Sequence, residues 1–319
     1  MIKTLKIFNS FKKELKAFES LFDSYVEGLE YKEYLKGAKG KMLRPTLTMV
    51  AAKIGGQVSE SSLWAAISVE LMHNATLVHD DVVDNADKRR SKPTFKHLYG
   101  DKQAVLYGDY LLAKSLDCVV KTGELSIVNT IARTTGEMSI GEIEQLDHSG
   151  HLDTSEEDYF NIIYKKTATL FICSLLVGYY SSSAEAHLEE TVKEIGYNLG
   201  MAFQIKDDLL DYDTSGESGK AFGNDIREKK MTLPLIHAFE MADKEEVKDV
   251  KKMILLPELP DEEVLKLIAF VQVNKGIEYT EAVLEQYLDK ARKAISQLPE
   301  GDSKSGLAYL CQYLGKRKK

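Results

Sequence analysis

A helix that ends in clustered aspartates is the feature that most restricts how this chain can fold. Apolar residues recur at three- and four-residue steps between Leu63 and Val78, which predicts a helix with one buried stripe. Asp80 and Asp84, at the end of this run, are four residues apart and would share a helix face, whereas Asp81 is turned roughly 100° away. Neighbouring carboxylates at the negative end of a helix repel each other, so the pattern calls for a cation.

The same Asp-Asp-x-x-Asp pattern occurs a second time, at Asp207, Asp208 and Asp211, late in another apolar run. Oxygen-only ligands suit Mg²⁺, which usually binds one or two carboxylates together with substrate phosphates. One copy alone is equally compatible with a solvated acidic helix end. Two copies, each within apolar sequence and each followed by basic residues, predict two acidic helix ends that face each other across a cavity and hold several Mg²⁺ ions and a diphosphate.

Length and composition set the broad class of protein. A chain of 319 residues with 44% hydrophobic content can bury a large core, and its net charge of −8 argues against general nucleic-acid binding. The three cysteines are far apart and flanked by apolar residues, which predicts buried thiols in a reducing compartment. The longest apolar run, from Ala168 to Tyr180, is shorter than the roughly 20 residues needed to span a bilayer, so we expect a cytoplasmic protein without a transmembrane segment.

The periodicity predicts an all-α fold, a single-domain helical bundle over residues 1–319. No alternating strand pattern bounded by turns is evident, and no Pro/Ser/Gly-rich linker divides the chain. A long polar loop, Asp213 to Lys229, is a candidate lid or binding loop. Helices are predicted over residues 3–29, 45–54, 60–84, 103–121, 125–148, 156–182, 186–212, 230–242, 244–256, 261–274, 278–297 and 303–314.

Several basic residues are candidates for binding anions. Lys41 and Arg44 precede a helix start, which itself attracts anions. Lys166 lies inside an apolar run, so it needs a partner or must extend its ammonium group to solvent. Lys220 and Lys230 follow the second aspartate motif, although a lysine taken alone is most often a surface charge.

From Gly40 to Pro234 the chain resembles the trans-isoprenyl diphosphate synthases, the polyprenyl synthetase family. The two aspartate motifs carry most of the likeness, and further matches are Gly40-Lys41-x-x-Arg44-Pro45, Gly108-Asp109-Tyr110-Leu111-Leu112, Gln145, Lys166-Thr167, Gly219-Lys220 and Lys230-x-Thr232-Leu233-Pro234. The resemblance implies an all-helical bundle around a central catalytic cavity, usually as a homodimer. Two departures lie beside diphosphate-contact positions: Met42 replaces an arginine and Ser91 replaces a glycine, which puts substrate affinity in doubt.

The resemblance also implies roles for individual residues. The aspartates would hold Mg²⁺, as three ions per active site: Asp80, Asp84 and Asp207 directly, and Asp81, Asp208 and Asp211 as supporting groups through ions or bound water. The allylic diphosphate, farnesyl or geranyl, would be bound by Arg89, Lys166, Lys220 and Lys230. Isopentenyl diphosphate would be bound by Lys41, Arg44, His73 and Arg90. Thr167 and Gln204 would supply oxygens near the allylic cation, and the departing diphosphate would remove the proton.

The resemblance also implies that the residues about one helical turn before the first motif limit the length of the product. In the family a bulky aromatic residue near Ala75 blocks chain growth, but Ala75 and Thr76 are small, so the floor of the cavity is expected deeper, near Leu71 and Met72. This favours a medium-to-long product such as a hexa- to octaprenyl quinone side chain. The alternative is that Ala75 only permits close helix packing.

Other functions are compatible with parts of this pattern. A shorter-chain geranylgeranyl or farnesyl diphosphate synthase would share the site. A terpene cyclase also uses aspartate-rich helices and Mg²⁺ but needs no residues for a second diphosphate. A di-iron bundle would require two Glu-x-x-His pairs, which the chain lacks, and a non-catalytic partner subunit would be expected to have lost aspartates from one motif.

The Ala75→Phe substitution tests the product-length hypothesis. We expect shorter products, because the aromatic ring would block the growing chain about one turn below the metal site. Mass spectrometry of dephosphorylated products measures the change, and an unchanged product distribution would contradict the hypothesis.

Overall fold

The computed structural model describes residues 10–38, 40, 42–89, 92–182, 186–214 and 222–316. These residues are almost entirely helical, which confirms the all-α prediction. In chain order the first elements are α1 (Lys12–Glu27), α2 (Lys32–Ala38), α3 (Leu43–Gly55), α4 (Glu60–Val83), β1 (Lys88–Arg89), β2 (Lys92–Pro93), α5 (Phe95–Tyr99) and α6 (Asp101–Thr122).

The remaining elements are also helical. They are α7 (Leu125–His148), α8 (Glu156–Ile163), a π-helical segment (Tyr164–Ala168), α9 (Thr169–Tyr180), a 3₁₀ turn (Ala186–Leu188), α10 (Glu189–Asp211), α11 (Asn224–Arg227), α12 (Leu233–Met241), α13 (Lys244–Ile254), α14 (Asp261–Val273), α15 (Gly276–Ser296) and α16 (Asp302–Lys316).

The chain divides into two compact units. The first comprises Met1–Thr135, Leu170–Lys193 and Gln297–Leu307, and the second comprises Gly136–Thr169, Glu194–Ser296 and Ala308–Lys319. The first aspartate motif belongs to the first unit and the second motif to the second. The expectation of a single domain stays a prediction.

Helix α4 is the centre of the first unit. Its start is fixed by Ser59 and Ser62, whose side chains and backbone N–H groups bond reciprocally. The prediction of one buried stripe is wrong, because every residue from Ala65 to Met72 is buried. The reason is that α1, α3 and α6 all pack against α4, so little of its middle can face water.

The contact between α4 and α6 depends on small residues. The Ser68 and Ser115 hydroxyl groups lie 2.9 Å apart, and the Ser115 hydroxyl also donates to the Ser68 carbonyl. Nearer the aspartates, the imidazole of His79 lies directly on Gly108, where a Cβ atom would come within 2.1 Å of Nε2. Gly108 therefore lets α6 approach the turn of α4 that carries Asp80.

A two-residue hairpin was not predicted from the sequence. β1 and β2 pair antiparallel, with Arg89 opposite Lys92. The hairpin is too short for an alternating pattern to be visible. Thr94 closes it through a backbone bond to the Asp87 carbonyl and a side-chain bond to the Ala86 carbonyl, and its side chain then caps α5.

A cluster of aromatic rings surrounds α5 in the first unit. Phe95 packs against Tyr107 on α6 at 4.2 Å between ring centroids, and against Tyr34 on α2 at 5.1 Å. The Tyr34 hydroxyl also accepts the Phe95 backbone N–H at 3.1 Å. This cluster fixes the hairpin and its Arg89 beside the end of α4.

The second unit has a core of its own. Buried apolar residues from the loop after α10 and from α11 to α14 form one cluster that includes Tyr212, Ile226, Leu235, Leu267 and Val271. Helix α12 packs against α8, α14 and α15. Helix α8, the start of the run that leads to Lys166, begins with a reciprocal bond pair between Ser155 and Asp158.

The predicted helix over residues 156–182 is interrupted. Between α8 and α9 the chain forms the π-helical segment Tyr164–Ala168, which was not visible as a break in the apolar pattern. In this segment Lys165 packs against Gly141 on α7, where a Cβ atom would lie 2.7 Å from the Lys165 Cβ. The whole run Glu156–Tyr180 is long and apolar enough to cross a membrane, but 61% of its most apolar window is buried inside the protein, as in a core helix.

Candidate active site

The first aspartate motif has one buried and two more accessible carboxylates. Asp81 is only 1% exposed, whereas Asp80 is partly buried and Asp84 is exposed. Asp84 ends the helix, and its backbone N–H donates to the Asp80 carbonyl at 2.8 Å. The helical spacing thus separates Asp81 from Asp80 and Asp84, as predicted, and the structure adds that Asp81 is the one that turns into the interior.

Arg89 is the partner of the buried carboxylate. Its Nε donates to Asp81 Oδ1 at 2.8 Å, and within the described residues no donor reaches Asp81 Oδ2. Burial raises the pKa of Asp81, and the Arg89 guanidinium opposes this rise. The bond uses one of the five guanidinium N–H donors, so Arg89 can hold Asp81 and still bind the predicted diphosphate.

Two of the predicted isopentenyl diphosphate ligands lie together. Arg44 Nη1 is 3.0 Å from His73 Nε2, and the guanidinium lies 5.8 Å from the centre of the Phe171 ring. Lys41, Arg90 and Lys220, and also Ser91, lie outside the described residues. Met42, where the family has arginine, is 6% exposed and adopts a left-handed backbone conformation with φ of 50°.

The proposed chain-length residues are mostly buried. Leu71, Met72 and Ala75 are inaccessible, and Thr76 is partly buried, with its hydroxyl donating to the His73 carbonyl. The Met72 sulfur accepts a bond from Thr135 at 3.1 Å. Such burial is also expected of an alanine that only permits close packing, so the role of these residues in product length stays a prediction.

The second motif repeats the arrangement of the first. Asp208 is 4% exposed, whereas Asp207 and Asp211 are partly buried. Asp208 Oδ2 accepts the Tyr159 hydroxyl at 2.6 Å, and Oδ1 accepts Gln204 Nε2 at 2.7 Å. Burial raises the pKa of Asp208, while these two hydrogen bonds lower it.

Gln204 and Thr167, for which the resemblance implied oxygens near the allylic cation, are in contact with each other. Thr167 Oγ1 donates to Gln204 Oε1 at 2.7 Å. A chain of hydrogen bonds therefore runs from Thr167 through Gln204 to Asp208, where it meets Tyr159. Tyr159 was not singled out from the sequence, although its position two helical turns before Lys166 places it on a similar face.

Asp211 has a structural task at the end of α10. Its two carboxylate oxygens accept the backbone N–H groups of Asn224 and Asp225, at 3.0 and 2.9 Å. Its carbonyl also accepts the Gly223 N–H at 2.8 Å. The carboxylate thus fixes the chain that follows the long polar loop, and its predicted metal role remains untested.

Lys166 is paired, and does not extend alone to solvent. Its Nζ lies 2.6 Å from Glu142 Oε2 and donates to Gln145 Oε1 at 3.2 Å. Both partners are on α7, one turn apart. Lys230 is similarly held, with its Nζ 2.6 Å from Glu228 Oε2.

A cavity of about 160 Å³ in the second unit brings many of these groups together. Its lining includes five predicted site residues: Lys166, Thr167, Gln204, Asp208 and Lys230. It also includes Gln145 and Thr232, which were family matches without an assigned role, and His148, Tyr159 and Asp225, which were not predicted as site residues.

Asp225 is the most notable unpredicted group in this cavity. It is partly buried, and burial raises its pKa, with Asp208 and Asp211 adding to the rise. The Lys230 ammonium acts in the opposite direction. The only signal in the sequence was its place in the long polar loop.

The aspartates fit Mg²⁺ bound together with a diphosphate. Over the described part of the chain, no three His, Cys, Asp or Glu side chains converge to form an all-protein metal cage. Mg²⁺ does not need such a cage, because it is usually held by one or two carboxylates, substrate phosphates and water. Asp80 and Asp84, four residues apart on one helix face, supply a carboxylate pair of this kind.

A family model described as polyprenyl synthetase matches residues 29–271. This chain belongs to the polyprenyl synthetase family. The match spans both aspartate motifs, and it makes the chain a prenyltransferase that synthesises polyprenyl diphosphates, as the sequence predicted.

Individual members of the polyprenyl synthetase family are similar over most of their length. Heptaprenyl diphosphate synthase component 2 of Bacillus subtilis is 34% identical over 287 residues, which cover 89% of this chain and 81% of that protein. The structure of a decaprenyl diphosphate synthase from Rhodobacter capsulatus is 34% identical, with a TM-score of 0.91 and coverage of 98% and 99%. A polyprenyl synthase from Caulobacter crescentus, solved with calcium and isoprenyl diphosphate, is 30% identical, with a TM-score of 0.91 and coverage of 98% and 97%.

The Arg89→Ala substitution tests the pairing of the buried aspartate. It leaves the Asp81 carboxylate buried without its cation, so we expect a loss of about 2 kcal/mol in the free energy of unfolding, less than for a fully buried pair because Arg89 is partly exposed. Urea unfolding measures the change.

Arg292→Ala is the matched control. It removes an arginine that pairs with Glu285 and Asp289 on an exposed helix surface, and we expect a loss below about 0.5 kcal/mol. Equal losses for the two variants would contradict a special role for the bond between Arg89 and Asp81.

Proposed function

We propose that this prenyltransferase condenses isopentenyl diphosphate head-to-tail with an allylic diphosphate, farnesyl or geranyl, to give an all-trans polyprenyl diphosphate. The observation that carries the proposal is the cavity in which two lysines, a hydroxyl, an amide and a buried aspartate converge. Ammonium groups suit a diphosphate, and neutral oxygens suit the adjacent allylic cation.

The proposed reaction has three balanced steps. The C–O bond of the allylic diphosphate breaks, and both electrons leave with the diphosphate. The double bond of isopentenyl diphosphate then supplies the electron pair of a new carbon–carbon bond. Finally the product carbocation loses a proton to an oxygen of the released diphosphate, so no protein base is needed.

The chain's residues would act mainly by fixed charge. Arg89, Lys166, Lys220 and Lys230 would bind the allylic diphosphate, and Lys41, Arg44, His73 and Arg90 would bind isopentenyl diphosphate. Asp80, Asp84 and Asp207 would hold Mg²⁺, proposed as three ions, with Asp211 in support; bound Mg²⁺ would stabilise charge on the leaving diphosphate. Asp81 and Asp208 would orient neighbouring groups, which is supported by their burial and hydrogen bonds.

Asp80→Ala and Asp207→Ala test the metal assignment. Each removes a carboxylate from a different motif, so we expect turnover to fall by roughly 10³-fold or more, while the thermal unfolding midpoint changes little. Product formation from isopentenyl diphosphate and farnesyl diphosphate with Mg²⁺ is the measurement.

Asp87→Ala is the control for charge alone. Asp87 is 68% exposed, lies outside the motif and pairs with His97, so its removal changes the net charge equally but should leave turnover within about twofold. Near wild-type turnover in the Asp80 and Asp207 variants would refute the metal assignment.

We propose a medium-to-long product, in the range of hexa- to octaprenyl, that serves as a quinone side chain. Support comes from the small residues Ala75 and Thr76 and from relatives named for heptaprenyl and decaprenyl products. No observation on the described residues specifically favours a geranylgeranyl or farnesyl synthase, or a terpene cyclase.

We propose that the enzyme is cytoplasmic and forms a homodimer through α6. This helix turns four apolar side chains outward on one face: Val105, Leu106, Leu116 and Val120, of which Leu106 is 68% and Val120 is 74% exposed. An exposed apolar face of this kind is typical of a protein interface.

The buried thiols of Cys118, Cys173 and Cys311 support a reducing compartment.

The double substitution Leu106→Glu and Val120→Glu tests the dimer. Charges on this face would repel a second copy, so we expect the purified wild type to sediment at twice the mass of one chain and the variant as a monomer. Val273→Glu, which alters an equally exposed apolar residue on α14, should remain dimeric.

A monomeric wild type would contradict the homodimer. Because the Bacillus subtilis relative is named as component 2 of its synthase, a wild-type chain that is inactive alone and active only with a different subunit would also contradict it.

A further inference from the structure

We propose that Tyr159 is a positioning residue: it holds Asp208 in place, so that the hydrogen bonds from Asp208 through Gln204 to Thr167 keep one direction and Thr167 presents an oxygen lone pair to the allylic cation. This inference deepens the proposed function and rests on it. It depends on four side chains that line the same cavity in the second unit.

The direction of this series of hydrogen bonds is set at Asp208. In its ionised form Asp208 only accepts hydrogen bonds, so the group that faces it must donate. Gln204 therefore turns its NH₂ group toward Asp208 Oδ1, at 2.7 Å, and its carbonyl oxygen toward the other side. The Tyr159 hydroxyl donates to the second oxygen, Oδ2, at 2.6 Å.

The orientation of Gln204 decides the orientation of Thr167. The Gln204 carbonyl oxygen lies 2.7 Å from Thr167 Oγ1, so the single hydroxyl proton of Thr167 is donated to it. A hydroxyl group has one donor and two acceptor lone pairs. With its proton engaged, Thr167 offers only lone pairs to a group that approaches from the cavity.

A lone pair on the Thr167 oxygen is what the allylic cation requires. Ionisation of the allylic diphosphate leaves positive charge on carbon, and a fixed lone pair stabilises it, whereas a hydroxyl proton would repel it. If the amide of Gln204 were reversed, its NH₂ group would donate to Thr167 and release the hydroxyl proton. The observed orientation of the Gln204 amide thus lets Thr167 stabilise the allylic cation, and the reversed orientation would not.

Tyr159 keeps the carboxylate in place for this task. Asp208 is almost completely buried, and Tyr159 is held rigidly because it is 3% exposed on a capped helix. Two donors on different helices, Tyr159 on α8 and Gln204 on α10, fix both oxygens of the carboxylate. Removal of the Tyr159 hydroxyl frees one oxygen and allows the carboxylate to turn away from Gln204.

The experiment measures the rate of the chemical step in single turnovers with farnesyl diphosphate, isopentenyl diphosphate and Mg²⁺. We expect Tyr159→Phe to lower this rate about tenfold, because it removes a hydrogen bond to a charged group, and to leave the KM for farnesyl diphosphate within about twofold. Asp208→Asn, whose NH₂ group can donate to the Gln204 carbonyl and reverse the amide, should lower the rate at least as much.

Tyr279→Phe is the matched control. Tyr279 is partly buried, and its hydroxyl donates to Glu156 on α8 at 2.8 Å, so this variant also removes a tyrosine hydroxyl that supports α8, but away from the cavity. We expect its single-turnover rate to stay within about twofold of wild type. Equal rates in the Tyr159→Phe and Tyr279→Phe variants would overturn the inference.

Coupling between Tyr159 and Thr167, at the two ends of the series of hydrogen bonds, gives a second readout. Tyr159 acts through Thr167, so the double variant Tyr159→Phe, Thr167→Val should be no slower than the slower single variant. Rate losses that multiply would overturn the inference. An inactive wild type would contradict the proposed function itself, whereas an active wild type with unaffected variants would contradict the inference alone.

Discussion

The burial of one carboxylate in each aspartate motif is the constraint on which the sites depend. Helical spacing sends the first and last aspartates of the motif to one side and the second into the interior. A buried carboxylate is costly unless it is paired or hydrogen-bonded. Asp81 is held by Arg89 in the first unit, and Asp208 by Tyr159 and Gln204 in the second.

The two buried aspartates, Asp81 and Asp208, are stabilised by different kinds of partner. Arg89 is partly exposed on a short hairpin and is the cation that pairs with Asp81. Its remaining guanidinium N–H groups can donate to an anion. Asp208 is instead anchored by two neutral donors, Tyr159 and Gln204, and burial raises its pKa to about 7. An ionised Asp208 orients Gln204, and it adds, together with Asp211, to the rise in the pKa of Asp225 that burial causes.

The lysines of the second unit are ordered before substrate arrives. Lys166 is held by Glu142 and Gln145, and Lys230 by Glu228. A bound diphosphate would compete with these carboxylates for the ammonium groups. Pairing on the cavity wall limits the freedom of two long side chains, which reduces the entropy lost on binding.

Much of this arrangement could be predicted from local sequence. Caps, glycines and prolines placed most helix ends within a few residues, and the helical spacing predicted that Asp81 turns away from the face shared by Asp80 and Asp84, but not that Asp81 is the buried one. The all-round burial of α4, the π-helical segment, the hairpin and the role of Tyr159 were missed. The burial of α4, the contact of Lys165 with Gly141 and the bond of Tyr159 to Asp208 depend on residues that are distant in the chain, and the hairpin is too short to give an alternating pattern.

We propose that the aspartate motifs bind a diphosphate through Mg²⁺. Calorimetric titration with the thiolodiphosphate analogue of farnesyl diphosphate, which resists ionisation, tests this without turnover. We expect binding at least about 100-fold tighter with Mg²⁺ than with EDTA, and loss of that difference in the Asp80→Ala variant. Equal affinity with and without Mg²⁺ would contradict it.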